Sequence, residues 1–148
     1  MRIYRHALAL FLLSTLLVSG LGCSNRAVSF NDPGGDYTAE SIGDVVDDLP
    51  ENPALGKPVS QAEDLRHEAL VELRAMGGGA AVVTDLLTAQ FPPPIRSVPF
   101  HVEAGTFEGT SAWIIVEVWG SEGGNLDETR VWVFDRETEE VLFTVAIN

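Results

Sequence analysis

Acid–base or metal chemistry would begin at the histidines and carboxylates, and one pair of these stands at an informative spacing. His101 and Glu103 lie two residues apart in IRSVPFHVEA, Ile95 to Ala104. Residues at that spacing share a face of an extended strand, so imidazole and carboxylate stand side by side. Such a pair can shuttle a proton or give two ligands to zinc, but a closed zinc site takes four and no further His or Cys is at spacing. His6 falls in the apolar start of the chain, and His67 lies off the apolar stripe of a helical segment. A second group of oxygen donors is the loop GSEGGNLDE, Gly120 to Glu128. Glu122, Asn125, Asp127 and Glu128 are the ligand types calcium takes, without the Asp-x-Asp-x-Asp-Gly order of an EF-hand loop. They are the residues to watch for a cation, while the sequence itself assigns no metal site, no cofactor and no catalytic residue. Gly77, Gly78 and Gly79 follow a helical pattern instead of a strand and lack the Gly-Lys-Ser/Thr of a phosphate loop, so they read as an interhelical turn.

The segments that must position these groups change period near the prolines at 92–94. Beyond them the apolar residues alternate. Ile95–Ala104 reads as an irregular first strand, with Pro99 marking an edge or a bulge, and a turn is expected around Gly105 and Gly109. Ser111–Trp119, SAWIIVEVW, is the strongest strand signal. Thr129–Asp135 and Glu140–Ile147 follow, close enough in sequence to form a hairpin. The purely aliphatic side, Ala112, Ile114, Val116 and Val118, is expected to face the core against the helices. That leaves Trp113, Trp119, Trp132 and Phe134 as a candidate binding surface on the opposite side, larger than a monomer normally exposes. Aromatic residues are enriched in interface cores.

Before the prolines the period is helical. Ser60 with Glu63 has the form of a capping box. Leu65, Ala69, Leu73 and Met76 make one stripe, widened by Ala62 and Leu70. A second helix is expected over Ala80–Gln90. The stretch HEALVELRAMGGGAAVVTDLL is similar to one unit of a HEAT-type repeat, but no second copy occurs, and one unit cannot bury its own face. Neither fold nor function follows from it. The expected architecture is α+β: a two-helix hairpin on a curved four-stranded antiparallel meander.

The N-terminal segment has a different character. Arg2 and Arg5 precede ALALFLLSTLLV, Ala7 to Val18, and small residues begin at Ser19. A positive start, a short apolar run and small residues form a secretory signal, and the run is too short to span a bilayer. The stretch SGLGC, Ser19 to Cys23, resembles the cleavage site of bacterial lipoproteins, although Gly20 stands where a branched residue or Leu is usual. The resemblance implies lipidation of Cys23 and a membrane partner reached through that anchor, at the cell membrane or outer membrane. An anchor also gives a use to the only cysteine.

The expected organisation is a signal peptide over 1–22, a lipidated cysteine and flexible acidic tether over 23–58, and one domain over 59–148. The tether rests on the Asp, Glu, Asn, Gly and Pro content of that stretch and its few large apolar residues. Within it, Ile42, Val45, Val46 and Leu49 are spaced for a short docked helix. The formal charge of −13 becomes −15 once Arg2 and Arg5 leave with the signal. So acidic a chain has no basic patch for a phosphate backbone, which excludes nucleic acid as a partner. The function expected is that of an exported, non-enzymatic binding or accessory lipoprotein of the cell envelope, taking an envelope protein or an apolar or peptide ligand. The alternatives are a metal-dependent or hydrolytic enzyme with its site near His101 and the 120–128 loop, and a structural spacer.

Overall fold

The computed structural model describes residues 26–147. The stretch expected to be a signal, with Cys23 and His6, lies outside the described residues. Short strands β1 (Ser29–Asn31) and β2 (Asp36–Tyr37) come first. A 3-10 turn (Ile42–Val46) and a second one (Val59–Gln61) lead into helices α1 (Ala62–Ala75) and α2 (Gly78–Gln90). Four longer strands close the chain: β3 (Ser97–Phe107), β4 (Thr110–Trp119), β5 (Glu128–Asp135) and β6 (Val141–Ile147). The class is α+β, as expected, but the sheet is mixed and has six strands. β3 to β6 pair antiparallel in sequence order, while β1 and β2 both run parallel to β3 along its outer edge.

This edge replaces much of the expected tether. Residues 26–58 carry few large apolar side chains, yet they are tied down by backbone pairing. Ser29, Phe30 and Asn31 stand opposite His101, Val102 and Glu103. Gly34 N–H donates to the Ala104 carbonyl at 2.9 Å and Thr106 N–H to that of Gly35 at 3.0 Å, which carries the ladder across the gap between the two short strands. The chains approach so closely there that a side chain on Gly105 would meet the Gly35 carbonyl at 2.3 Å; Gly105 is a strand residue, not the turn expected. The turn falls at Glu108 and Gly109, both at positive φ, as a two-residue hairpin prefers.

The two faces of the sheet are covered the opposite way round from expectation. The helices pack on the aromatic face. Trp113 and Phe134 are buried there with Ile115, Val102 and Ala104, against Ala62, Ala69, Leu73, Ala80, Val83 and Leu87. The reason is shape. The helices present Ala62, Ala69, Gly79 and Ala80 between their larger residues, and the aromatic rings fill the space left there: a Cβ on Gly79 would sit only 3.0 Å from the Trp113 ring and 3.1 Å from that of Phe30. The aliphatic residues Ala112, Ile114 and Val116, with Val131 and Val133, are covered by Ile42 and Val45 of the first 3-10 turn, with Tyr37, Val46 and Leu49 beside them, while Val118 alone of the expected set joins the helix-side core. The docked segment is therefore ordered, as a 3-10 turn.

Helix α1 starts at Ala62 with Gln61 at its N-cap and no side-chain capping bond, so the box at Ser60 and Glu63 does not form; Glu63 and Asp64 still sit in the first turn, where carboxylates suit the helix dipole. Pro99 does mark a bulge, since the β3–β4 register shifts between Pro99 and His101.

Candidate functional site

Because β1 pairs in register with β3, Ser29 comes to lie beside His101 and Asn31 beside Glu103. The three side chains Ser29, His101 and Glu103 form a hydrogen-bonded row. Ser29 Oγ is 2.7 Å from His101 Nδ1, and His101 Nε2 is 2.9 Å from Glu103 Oε1. The imidazole and carboxylate are buried, and Ser29 is half-buried.

Three further donors act on Glu103. Gly35 N–H and Tyr37 O–H donate to Oε2 at 2.9 and 3.0 Å, and Asn31 Nδ2 reaches Oε1 at 3.4 Å. The hydrogen bond from His101, more than any other influence, lowers the Glu103 carboxyl to a pKa of about 2, and the Gly35 and Tyr37 bonds act in the same sense. Burial and the adjacent Glu103 charge push the Tyr37 hydroxyl the other way, up to about 12. An ionised carboxylate only accepts, so the ring nitrogen facing it carries the proton. In the neutral imidazole Nδ1 is then bare and accepts the Ser29 hydroxyl. This is the order hydroxyl, imidazole, carboxylate used by nucleophilic hydrolases, with the two ring nitrogens exchanged.

Ser29 opens onto a cleft of about 560 Å³. Its lining includes Arg26 and Ala27 on the approach to β1, Glu51, Asn52 and Leu55 from the following loop, and Phe100. Asn52 is buried, its carbonyl accepting the Ala54 N–H at 2.8 Å, while its Nδ2 finds no partner. The approach to β1 is held by Glu72 of α1, whose Oε2 accepts the N–H groups of Ala27 and Val28 at 2.7 and 3.3 Å.

A second buried polar group lies on the helix-covered face. Glu117 is fully buried; Trp132 Nε1 donates to its Oε1 at 2.8 Å, and Arg66 and Arg130 stand at 4.0 and 3.9 Å. Burial raises the Glu117 carboxyl and lowers the Arg66 guanidinium from their usual ranges. Arg66 also bonds the Leu87 carbonyl at 3.1 Å and stacks over Phe91. These groups are enclosed between α1, α2 and the sheet, where they fix the helix position.

The residues singled out from sequence fare unequally. His101 and Glu103 do meet, on one face as the spacing requires. The 120–128 loop does not join them. It is pinned to residues 56–59 by the Gly56–Leu126, Lys57–Leu126 and Val59–Gly124 backbone bonds, and Glu122 pairs with Arg96 at 2.9 Å beside a separate cleft. Among the described residues no three His, Cys, Asp or Glu side chains gather as a metal site would need, Glu122, Asp127 and Glu128 included. His67 is exposed. The aromatic surface is not open: Trp113 and Phe134 are 3% and 1% exposed, Trp132 packs edge-on against Phe91, and half-buried Trp119 is covered by the Arg130 guanidinium.

Ser29, Asn52, Gly35 and Tyr37 were missed, all in the stretch read as tether. Only the alternation of Val28 and Phe30 with Ser29 and Asn31 hints at a strand there. A match to the chain was sought among protein-family models, curated proteins and solved structures, and none was found.

Proposed function

We propose that this is an exported lipoprotein, anchored through Cys23, that binds an envelope protein or an apolar or peptide ligand in the cleft beside β1. The observation that carries the reading is the position of that cleft. Arg26, Ala27 and Ser29 belong to its lining, and only Ser24 and Asn25 separate Arg26 from Cys23. Three residue steps span at most about 11 Å, so a lipid on Cys23 would hold the cleft at the bilayer surface. This cleft, unlike the covered aromatic sheet face, combines apolar lining (Ala27, Leu55, Phe100) with room for a ligand.

Two measurements test this. Metabolic palmitate labelling should mark the protein and be lost in Cys23→Ala. Crosslinking in the native host should capture a partner or ligand that Leu55→Arg abolishes; Leu55 is 47% exposed at the cleft, so the change spares the core. A label that persists in Cys23→Ala would remove the anchor, and capture unchanged by Leu55→Arg would remove the cleft.

A further inference from the structure

The geometry points to an activity at this cleft: acyl-ester hydrolysis with Ser29 as nucleophile, His101 as general base and Glu103 as the positioning residue behind it. The inference rests on the reading of the cleft as the ligand site and adds chemistry to it. Three observations converge. Ser29 Oγ is 2.7 Å from His101 Nδ1, the nitrogen that accepts in the neutral tautomer whose Nε2–H faces Glu103. Ser29 is also the member of the row that lines the cleft, while His101 and Glu103 are buried behind it. Finally, Asn52 belongs to the wall of the same cleft, and its amide Nδ2, buried just behind that wall, has no partner; a donor of this kind can stabilise a developing oxyanion once substrate opens it.

The steps balance as follows. Ser29 Oγ attacks the ester carbonyl carbon while its proton passes to His101 Nδ1. The carbonyl oxygen becomes an oxyanion, and its stabilisation falls to Asn52 Nδ2, which a small shift of the Asn52 side chain would bring to the cleft. When the carbonyl re-forms, the alkoxide leaves and takes the proton from Nδ1, giving the free alcohol and acyl-Ser29. Water then gives a proton to Nδ1 as its oxygen attacks. Ser29 Oγ departs with that proton, and the carboxylic acid is released. No oxidant, metal or cofactor enters. The apolar lining of Phe100, Leu55 and Ala27 suits an apolar acyl group.

The test uses the full chain in detergent with p-nitrophenyl butyrate as substrate and an alkyl fluorophosphonate as probe. The expected result is turnover of the ester, and displacement of fluoride with an adduct mapped by mass spectrometry to the peptide bearing Ser29. Ser29→Ala, purified identically and with an unchanged melting temperature, should lose the adduct and reduce turnover at least about 100-fold. Glu103→Gln should lower kcat with little change in KM. Absence of the adduct from the unsubstituted chain would overturn the inference without any variant having to fold. Turnover within about twofold in Ser29→Ala would overturn it too. Either result, alongside crosslinking that Leu55→Arg still abolishes, would leave a binding cleft with no catalysis.

Discussion

At the scale of single residues, the most consequential group is Glu103, because it serves the fold and the cleft together. Its carboxylate accepts from β3 through His101 and from the β1–β2 edge through Gly35 and Tyr37, so its charge helps bind that edge to the sheet. The carboxyl is held at about 2 in the folded chain against 4.5 ordinarily. A group depressed in this way stabilises the fold above its unfolded value, and the contribution disappears as pH falls from near 4.5 towards 2. At 1.36 kcal/mol per pH unit the shift bounds the effect at about 3 kcal/mol, and solvent screening at this sheet edge leaves less. Urea unfolding at pH 7, 4 and 2.5 should show this loss concentrated below pH 4.5, with Glu103→Gln less stable at pH 7 and flatter over the same range. Equal slopes for the two proteins would mean that Glu103 is not the group responsible.

Among the elements, the helix pair and the sheet are matched by size. Ala62, Ala69 and Ala80 share one core with Trp113, Phe134 and Phe30, and Gly79 lies against the Trp113 and Phe30 rings, so the aromatic rings are core. Trp113→Ala should therefore destabilise by about 3–5 kcal/mol, visible as a lower midpoint in urea, and it should not behave as a surface substitution that spares the fold. A loss below about 1 kcal/mol would restore the idea of an accessible aromatic face.

This pairing was legible in the sequence, though not through periodicity. Alternation located the four long strands to within a few residues, and the 3.6-residue period located both helices. Neither period says which sheet face a helix chooses. Where an apolar helix face carries Ala and Gly between its larger residues, the gaps need a bulky partner, and that volume argument favours Trp113 over Ile114. The edge made by Ser29–Asn31 and Asp36–Tyr37 was less accessible, because short parallel strands bury little apolar area and their pairing with β3 spans about seventy residues of sequence. For the same reason half of the candidate site was readable. His101 and Glu103 are two residues apart, whereas Ser29 reaches them only through that long-range pairing.

At the scale of the whole molecule, the folded edge changes how the protein would meet a membrane. A flexible stretch from 23 to 58 would carry the domain well clear of the bilayer. With Ala27 and Val28 bonded to Glu72 and β1 beginning at Ser29, a lipid on Cys23 would hold the cleft within roughly 11 Å of the surface. The charge of the chain opposes that proximity: −13 in all, and −15 without Arg2 and Arg5. Anionic headgroups would repel such a domain, and the repulsion fades beyond a Debye length of about 8 Å at physiological ionic strength. A short connection is therefore unfavourable unless something at the surface must reach the cleft. Inserting twenty Gly/Ser residues between Asn25 and Arg26 would add a span of about 25 Å without touching the fold. Palmitate labelling and melting temperature should be unchanged, while crosslinks from Leu55 and Arg26 to a membrane-proximal partner should fall at least several-fold. If those crosslinks survive the insertion, the ligand comes from solution and the short connection has no bearing on what the cleft binds.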